Sequence, residues 1–218
     1  PRRQGFVQNH KGQNRRHSRT RYRVGRVVVP GELTVAGMGA SETFDTALAA
    51  LHDIVVRPDI LVSQAPAPGR LAPHAYACTA EVGDPEIGSG RFVLLHDPAA
   101  PAAWESATRV VIYVEADVDA EMAEDQLLTD VGWTWVQESL VAAEVPYVAL
   151  GGTVTAVRST SYEALSARGH EAMVQVRASW SPTGLADVPA HFEAWLGLME
   201  LCAGLPPHYP GVTRIGDL

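Results

Sequence analysis

Lysine is almost absent. The chain has one, Lys11, and none after residue 31. Without lysine the globular part cannot hold a Walker-type phosphate loop, form a Schiff base or run a serine–lysine dyad. Cysteine is nearly as scarce. Cys78 and Cys202 stand far apart with no CxxC spacing, which suits two reduced core thiols in the cytoplasm better than a redox pair or a metal site. No apolar run approaches the ~18 residues that a membrane span needs, so no membrane partner is expected.

Basic charge is also missing from most of the chain. Residues 1–31 hold nine of the seventeen Lys and Arg and no acid. The rest carries eight basic and twenty-five acidic residues, a formal −17. A domain so acidic repels nucleic acid, which asks for a basic footprint. The basic arm could contact RNA or DNA by itself, but it lacks the interleaved aromatics that bind single strands. Residues 1–40 show no periodicity and read as a disordered basic tail. Upstream translated sequence with a start at a later codon such as Met38 fits this stretch, and Pro30 and Glu32 make it a poor signal peptide. Residues 41–211 read as a single domain and 212–218 as a C-terminal tail.

What the chain does have is strand-like apolar runs. Phe92–Leu95 and Val110–Val114 are rich in β-branched and aromatic residues and bounded by Gly and Pro. They read as two central strands buried on both faces or nearly so. The loop between them, Pro98 to Ser106, suits an antiparallel return and is too short for a crossover helix. Tyr76–Val82, Val148–Arg158 and Ala172–Trp180 read as further strands, and Asp59–Gln64 as a short one. In the last long strand Met173, Gln175, Arg177 and Ser179 alternate with an apolar face. Three amphipathic helices complete the set. The first is capped by Ser41 and carries Phe44, Ala47, Leu48, Leu51 and Val55. The second is capped by Asp130 and carries Trp133, Val136, Leu140 and Ala143. The third is capped by Asp187 and carries Val188, Phe192, Trp195, Met199 and Cys202. The expected fold is α+β: a five-stranded antiparallel sheet, six-stranded if Asp59–Gln64 joins, in the order helix, three main strands, helix, two strands, helix.

Catalytic and metal motifs are missing. There is no HExxH, no second histidine four residues from another, and no GxSxG. His191-Phe192-Glu193 resembles a deaminase HxE without its PCxxC. Asp117-x-Asp119-x-Glu121 starts like a calcium loop but lacks its glycine and its final glutamate. Gly88-Ser89-Gly90 leads into a strand rather than out of one. No catalytic residue, metal ligand or cofactor is assigned. The candidate binding or structural polar cluster is Arg91, His96, Asp97, Trp133, Trp135, Arg177 and Trp180. His96 and Asp97 end a central strand. Trp133 and Trp135 point to different sides of one helix, one of them a surface anchor. Arg177 and Trp180 form a second anchor pair. Arg91 and Arg109, the basic residues of the central strands, are expected to pair with the abundant acids.

Several stretches together resemble one family. RLAPHAYACTAEV (Arg70–Val82), GRFVLLHDP (Gly90–Pro98), EMAEDQLLTDVGWTW (Glu121–Trp135), GGTVTAVRS (Gly151–Ser159), VRASWSPTG (Val176–Gly184) and AWLGLMELCAGLPP (Ala194–Pro207) are similar to the actinobacterial domain-of-unknown-function family number three thousand. The resemblance runs from about Phe44 to Gly211 and implies an intracellular bacterial protein, but its members carry no established activity to transfer. The element order also resembles secretion-chaperone-like folds, which are mostly binding or regulatory modules, often dimers. The expectation is therefore a non-enzymatic, cytoplasmic protein-interaction or regulatory module, its partner a protein, with a homodimer as one form. The alternatives are an enzyme with a small-molecule site near the ends of the central strands, around His96, Asp97 and Arg91, and nucleic-acid contact through the basic tail.

Overall fold

The computed structural model describes residues 40–83 and 86–206. The expectations for the basic arm, Met38, the turn at Asp84-Pro85 and the C-terminal tail lie outside the described residues.

Helix α1 (Ala40–Leu51) buries Phe44, Ala47 and Leu51. It stops earlier than the spacing predicts. Its last turn tightens into bonds three residues apart, His52 N–H to Ala49 O and Asp53 N–H to Ala50 O. Val55 is left 82% exposed, while Ile54 and Val56 turn inward. Helix α1 also begins at Ala40, so Ser41 lies inside it and does not precede it.

Six strands follow the apolar runs. They are β1 (Ile60–Gln64), β2 (His74–Val82), β3 (Gly88–His96), β4 (Thr108–Asp117), β5 (Tyr147–Thr160) and β6 (His170–Pro182). All join one antiparallel sheet in the order β1-β2-β3-β4-β6-β5. The short segment before Gln64 does join, which makes six strands among the described residues. A 3-10 turn at Ala102–Trp104 sits in the β3–β4 connection. The chain then crosses over the sheet through two helices, α2 (Ala120–Glu124) and α3 (Leu128–Ala142), to reach the far edge as β5. Strand β6 returns between β5 and β4, and α4 (Val188–Cys202) closes the described chain. Helix α2 is an addition to the expected list, formed from the acidic stretch. Helix α3 starts before Asp130, which lies in its first turn, where a carboxylate suits the helix dipole. The Asp125 carboxylate accepts the Leu127 N–H at 2.9 Å just ahead of it.

The helices cover one face only. Along the strands, alternate residues enter the core: Tyr76, Cys78, Ala80 and Val82; Phe92 and Leu94; Val110, Ile112, Val114 and Ala116; Val174, Val176, Ala178 and Trp180. Helix α4 delivers its predicted stripe, and Phe92, Phe192 and Trp195 meet ring to ring at 5.2–5.6 Å between centroids. Such aromatic contacts add about 1 kcal/mol each beyond the area they bury. The close approach of helix to sheet is set by glycine. A Cβ on Gly90 would lie 2.8 Å from Met199 Sδ, and one on Gly132 would lie 2.9 Å from Val154 Cγ1.

Arg57, between α1 and β1, ties two chain segments together. It donates to Asp59 at 2.7 Å, to Glu200 at 2.8 Å and to the Pro206 carbonyl at 3.2 Å. Burial pulls its pKa down, but the hydrogen bonds to Asp59 and Glu200 outweigh burial and hold it above the ordinary value.

Candidate recognition face on the open side of the sheet

Among the described residues no α-helix lies on the other face of the sheet; Ala65, Ala72 and Trp104 cover one part of it, over Ala77, Val93 and Leu95. Its residues are the odd members of each strand, and the strand register brings them into rows. One row runs Arg91 (β3), Tyr113 (β4), Arg177 (β6) and Thr153 (β5). Neighbouring strands lie ~4.8 Å apart, so the two arginines stand ~10 Å apart at their backbones with Tyr113 between them. The next row is Val93, Val111 and Ser179, and the row on the other side is Ser89, Glu115, Gln175 and Thr155.

Arg91, Val93, Val111, Tyr113 and Arg177 line a shallow trough of about 410 Å³. The Arg177 guanidinium lies 5.0 Å from the centre of the Tyr113 ring, a cation–π contact. Arg91 donates to the Pro66 carbonyl at 2.7 Å, so the loop after β1 walls one flank. The acid of the neighbouring row is already engaged. Glu115 accepts from the Tyr113 hydroxyl and from Gln175 Nε2, each at 2.6 Å. Burial and the Glu115 carboxylate push the Tyr113 phenol up to about 12. Beyond the valine row, Arg109 donates to Ala149 O, Ser181 Oγ and Ser179 Oγ at 2.6–3.1 Å. Burial lowers its pKa, against the pull of Glu105.

The expected acid partners for Arg91 and Arg109 are therefore not found. Among the described residues the ion pairs are Arg57 with Asp59, Arg57 with Glu200, and Arg158 with Glu124. The three arginines of the open face hold carbonyls, hydroxyls, an amide and a ring instead. Each keeps contact with solvent, so water and neutral acceptors satisfy it without a carboxylate.

Only part of the sequence-derived cluster comes together. Arg91 and Arg177 share one row. Trp180 does not accompany Arg177, because three residues along a strand reverse the face; it is buried in the core and donates to His191 Nδ1 at 3.0 Å. His96 lies on the helix-covered face, opposite to Arg91. It contacts Thr108 Oγ1 at 3.1 Å, stacks with Phe44 and lies beside a tilted His74 ring. Burial, then the neighbouring His74, lower its pKa. Asp97 folds back to accept the Ala99 N–H at 2.9 Å. Trp133 and Trp135 are both half-buried and pack against the core. His191, of the HxE triplet, is wholly buried beside Trp180. Among the described residues no group of three His, Cys, Asp or Glu could hold a metal.

Tyr113, Glu115 and Gln175 were missed as site residues. The run Val110–Val114 reads as buried on both faces, yet Val111 is 39% exposed. An uninterrupted apolar run does not say which face is covered.

The chain matches the family model described as "Protein of unknown function (DUF3000)" over residues 40–213. It belongs to that family. No curated protein and no solved structure matches it. The family match takes in every strand and helix described above and begins at Ala40, where α1 starts. No helix among the described residues is long and apolar enough to cross a membrane.

Proposed function

We propose that this DUF3000 protein is a non-enzymatic recognition module, and that its open sheet face takes up an acidic, partly apolar segment of a protein partner. The observation that carries the reading is the Arg91–Tyr113–Arg177 row. It presents two guanidiniums without a carboxylate partner on a domain that is otherwise strongly acidic. An anionic side chain meets charge-assisted donors there, and the exposed Val111 in the adjacent row accepts an apolar neighbour. Arg and Tyr are the side chains that most often dominate the energetics of protein contacts. A cytoplasmic location agrees with the two buried free thiols.

A photo-crosslinking residue at Val111, expressed in the native cell, tests this. A matched probe at Val55, exposed but in the loop after α1, is the control. The expected result is a protein adduct specific to position 111 whose cross-linked peptide is acidic, and which is lost in R91E/R177E. Adducts shared with position 55, neutral or basic cross-linked peptides, RNA adducts, or adducts indifferent to R91E/R177E would each overturn it.

A further inference from the structure

The two edges of the sheet are unlike. Strand β1 has five residues and lies between Pro58 and Pro66, a short edge that offers little to pair with. Strand β5 has fourteen residues and, among the described residues, pairs with β6 on one side only. Edge strands this long are ordinarily guarded by proline, lysine or inward charge, since their outer row of N–H and C=O groups is a template for another strand. Strand β5 contains no proline and no lysine, and Arg158 is its one charged residue. Its one irregularity falls at the start, where the register shifts between Val148 and Gly151 and Ala149 has φ 52°. From Gly151 to Thr160 the register with β6 is unbroken.

A second observation concerns the apolar surface around this edge. Met122, Leu127, Val131, Tyr162 and Leu165 are all exposed. They lie on α2, just before and on α3, and in the loop joining β5 to β6. Helices α2 and α3 both contact β5 and β6. Exposed large apolar residues in the elements beside this edge are surface that a second copy would help to cover.

We infer that β5 pairs with β5 of a second copy of this chain, antiparallel, to make one continuous sheet across the dimer. The strand is suited to its own copy. A two-fold axis through Thr155 sets Val157 opposite Thr153 and Arg158 opposite Gly152, so no like charges face each other. A two-fold contact repeats the same patch on both subunits, and a nearly neutral strand pays no charge penalty for meeting itself. Opposed residues in an antiparallel pair point to the same side, so the helix layers fall on one side and the two open faces join on the other. Arg177 of one protomer and that of its partner are then three strand spacings apart across the sheet and four residues apart along it, ~20 Å in all. The inference stands on the edge and its surroundings, independently of what the open face binds.

Sedimentation velocity on the full chain reads this directly. The expected mass is twice 23.4 kDa. T153E/T155E/V157E, all pointing to the open face, places like charges across the contact. It is expected to raise the dimer dissociation constant at least ~10-fold with the far-ultraviolet dichroism unchanged. T155C is expected to form an intermolecular disulfide on mild oxidation, which the buried Cys78 and Cys202 cannot imitate. A 23.4 kDa species at every concentration up to ~100 µM would overturn the inference. So would a dimer that survives the triple substitution and leaves Cys at 155 unlinked.

Discussion

Trp180 and His191 face each other inside the core, the indole N–H donating to Nδ1 of the imidazole at 3.0 Å. That bond fixes the tautomer. Nδ1 must be unprotonated, so Nε2 carries the hydrogen, and it makes no hydrogen bond among the described residues. A second proton would have to sit where Trp180 already points one. Burial lowers the His191 pKa to about 4, against the pull of Asp187.

Stability should therefore fall in mild acid. The unfolded chain takes up this proton near pH 6.5 and the folded chain only near 4, so the folded state binds fewer protons between them. The contribution of neutral His191 is intact above about pH 6.5 and is lost progressively as pH drops to about 4. The loss is about 3 kcal/mol. H191Q keeps an acceptor for Trp180 and removes the titration. Urea unfolding of both proteins at pH 7 and pH 4 should show the smaller pH dependence in H191Q.

Arg57 should be costly to remove. It is 6% exposed and serves Asp59, Glu200 and the Pro206 carbonyl. R57M leaves two carboxylates facing a gap, but both reach solvent at the rim. The expected loss is about 2–3 kcal/mol, below the top of the range for a broken buried pair. R57K should recover less than half, because one ammonium cannot span three acceptors set around a planar fork. Chemical denaturation midpoints measure both.

The neighbouring glycines Gly151 and Gly152 should behave differently. A Cβ on Gly152 would land against the Arg177 carbonyl and 2.9 Å from both Ala178 Cα and Trp133 Cζ3. A Cβ on Gly151 meets nothing within 4 Å. G152A should destabilise by about 2 kcal/mol or more, through forced separation of β5 from β6. G151A should change stability by less than ~0.5 kcal/mol. Thermal unfolding of the pair separates a packing effect from a general intolerance of side chains on this strand.

Both thiols should be silent in the native protein. Cys78 and Cys202 are buried, and burial pushes each up to about 12. Almost no thiolate exists at neutral pH, and thiolate is the reactive form. A colorimetric thiol reagent should find close to none in the folded chain and two per chain in denaturant. Rapid labelling of either cysteine before unfolding would show an opening that the packed core does not suggest.

The elements were legible because each leaves a local mark. Strand β6 shows its alternation letter by letter, and α4 spaces Val188, Phe192, Trp195 and Met199 three or four residues apart. The site was less legible because it depends on register. Arg91, Tyr113 and Arg177 are separated by 22 and 64 positions, and only strand pairing sets them in one row. Arg57 gave no signal at all. It reads as an ordinary loop arginine, and its burial comes from the end of α4, more than 140 residues away. Helix α2 was hidden for a related reason. Its five residues, AEMAE, bury none of their side chains, so no apolar stripe announces it.

The even-numbered residues of β2, β3, β4 and β6 point under the helices, and the odd-numbered ones point away. The helix-covered core and the proposed recognition face are thus written in interleaved letters of the same strands. One set can change in chemistry while the other stays fixed, so the packing under the helices leaves the composition of the open face free to vary.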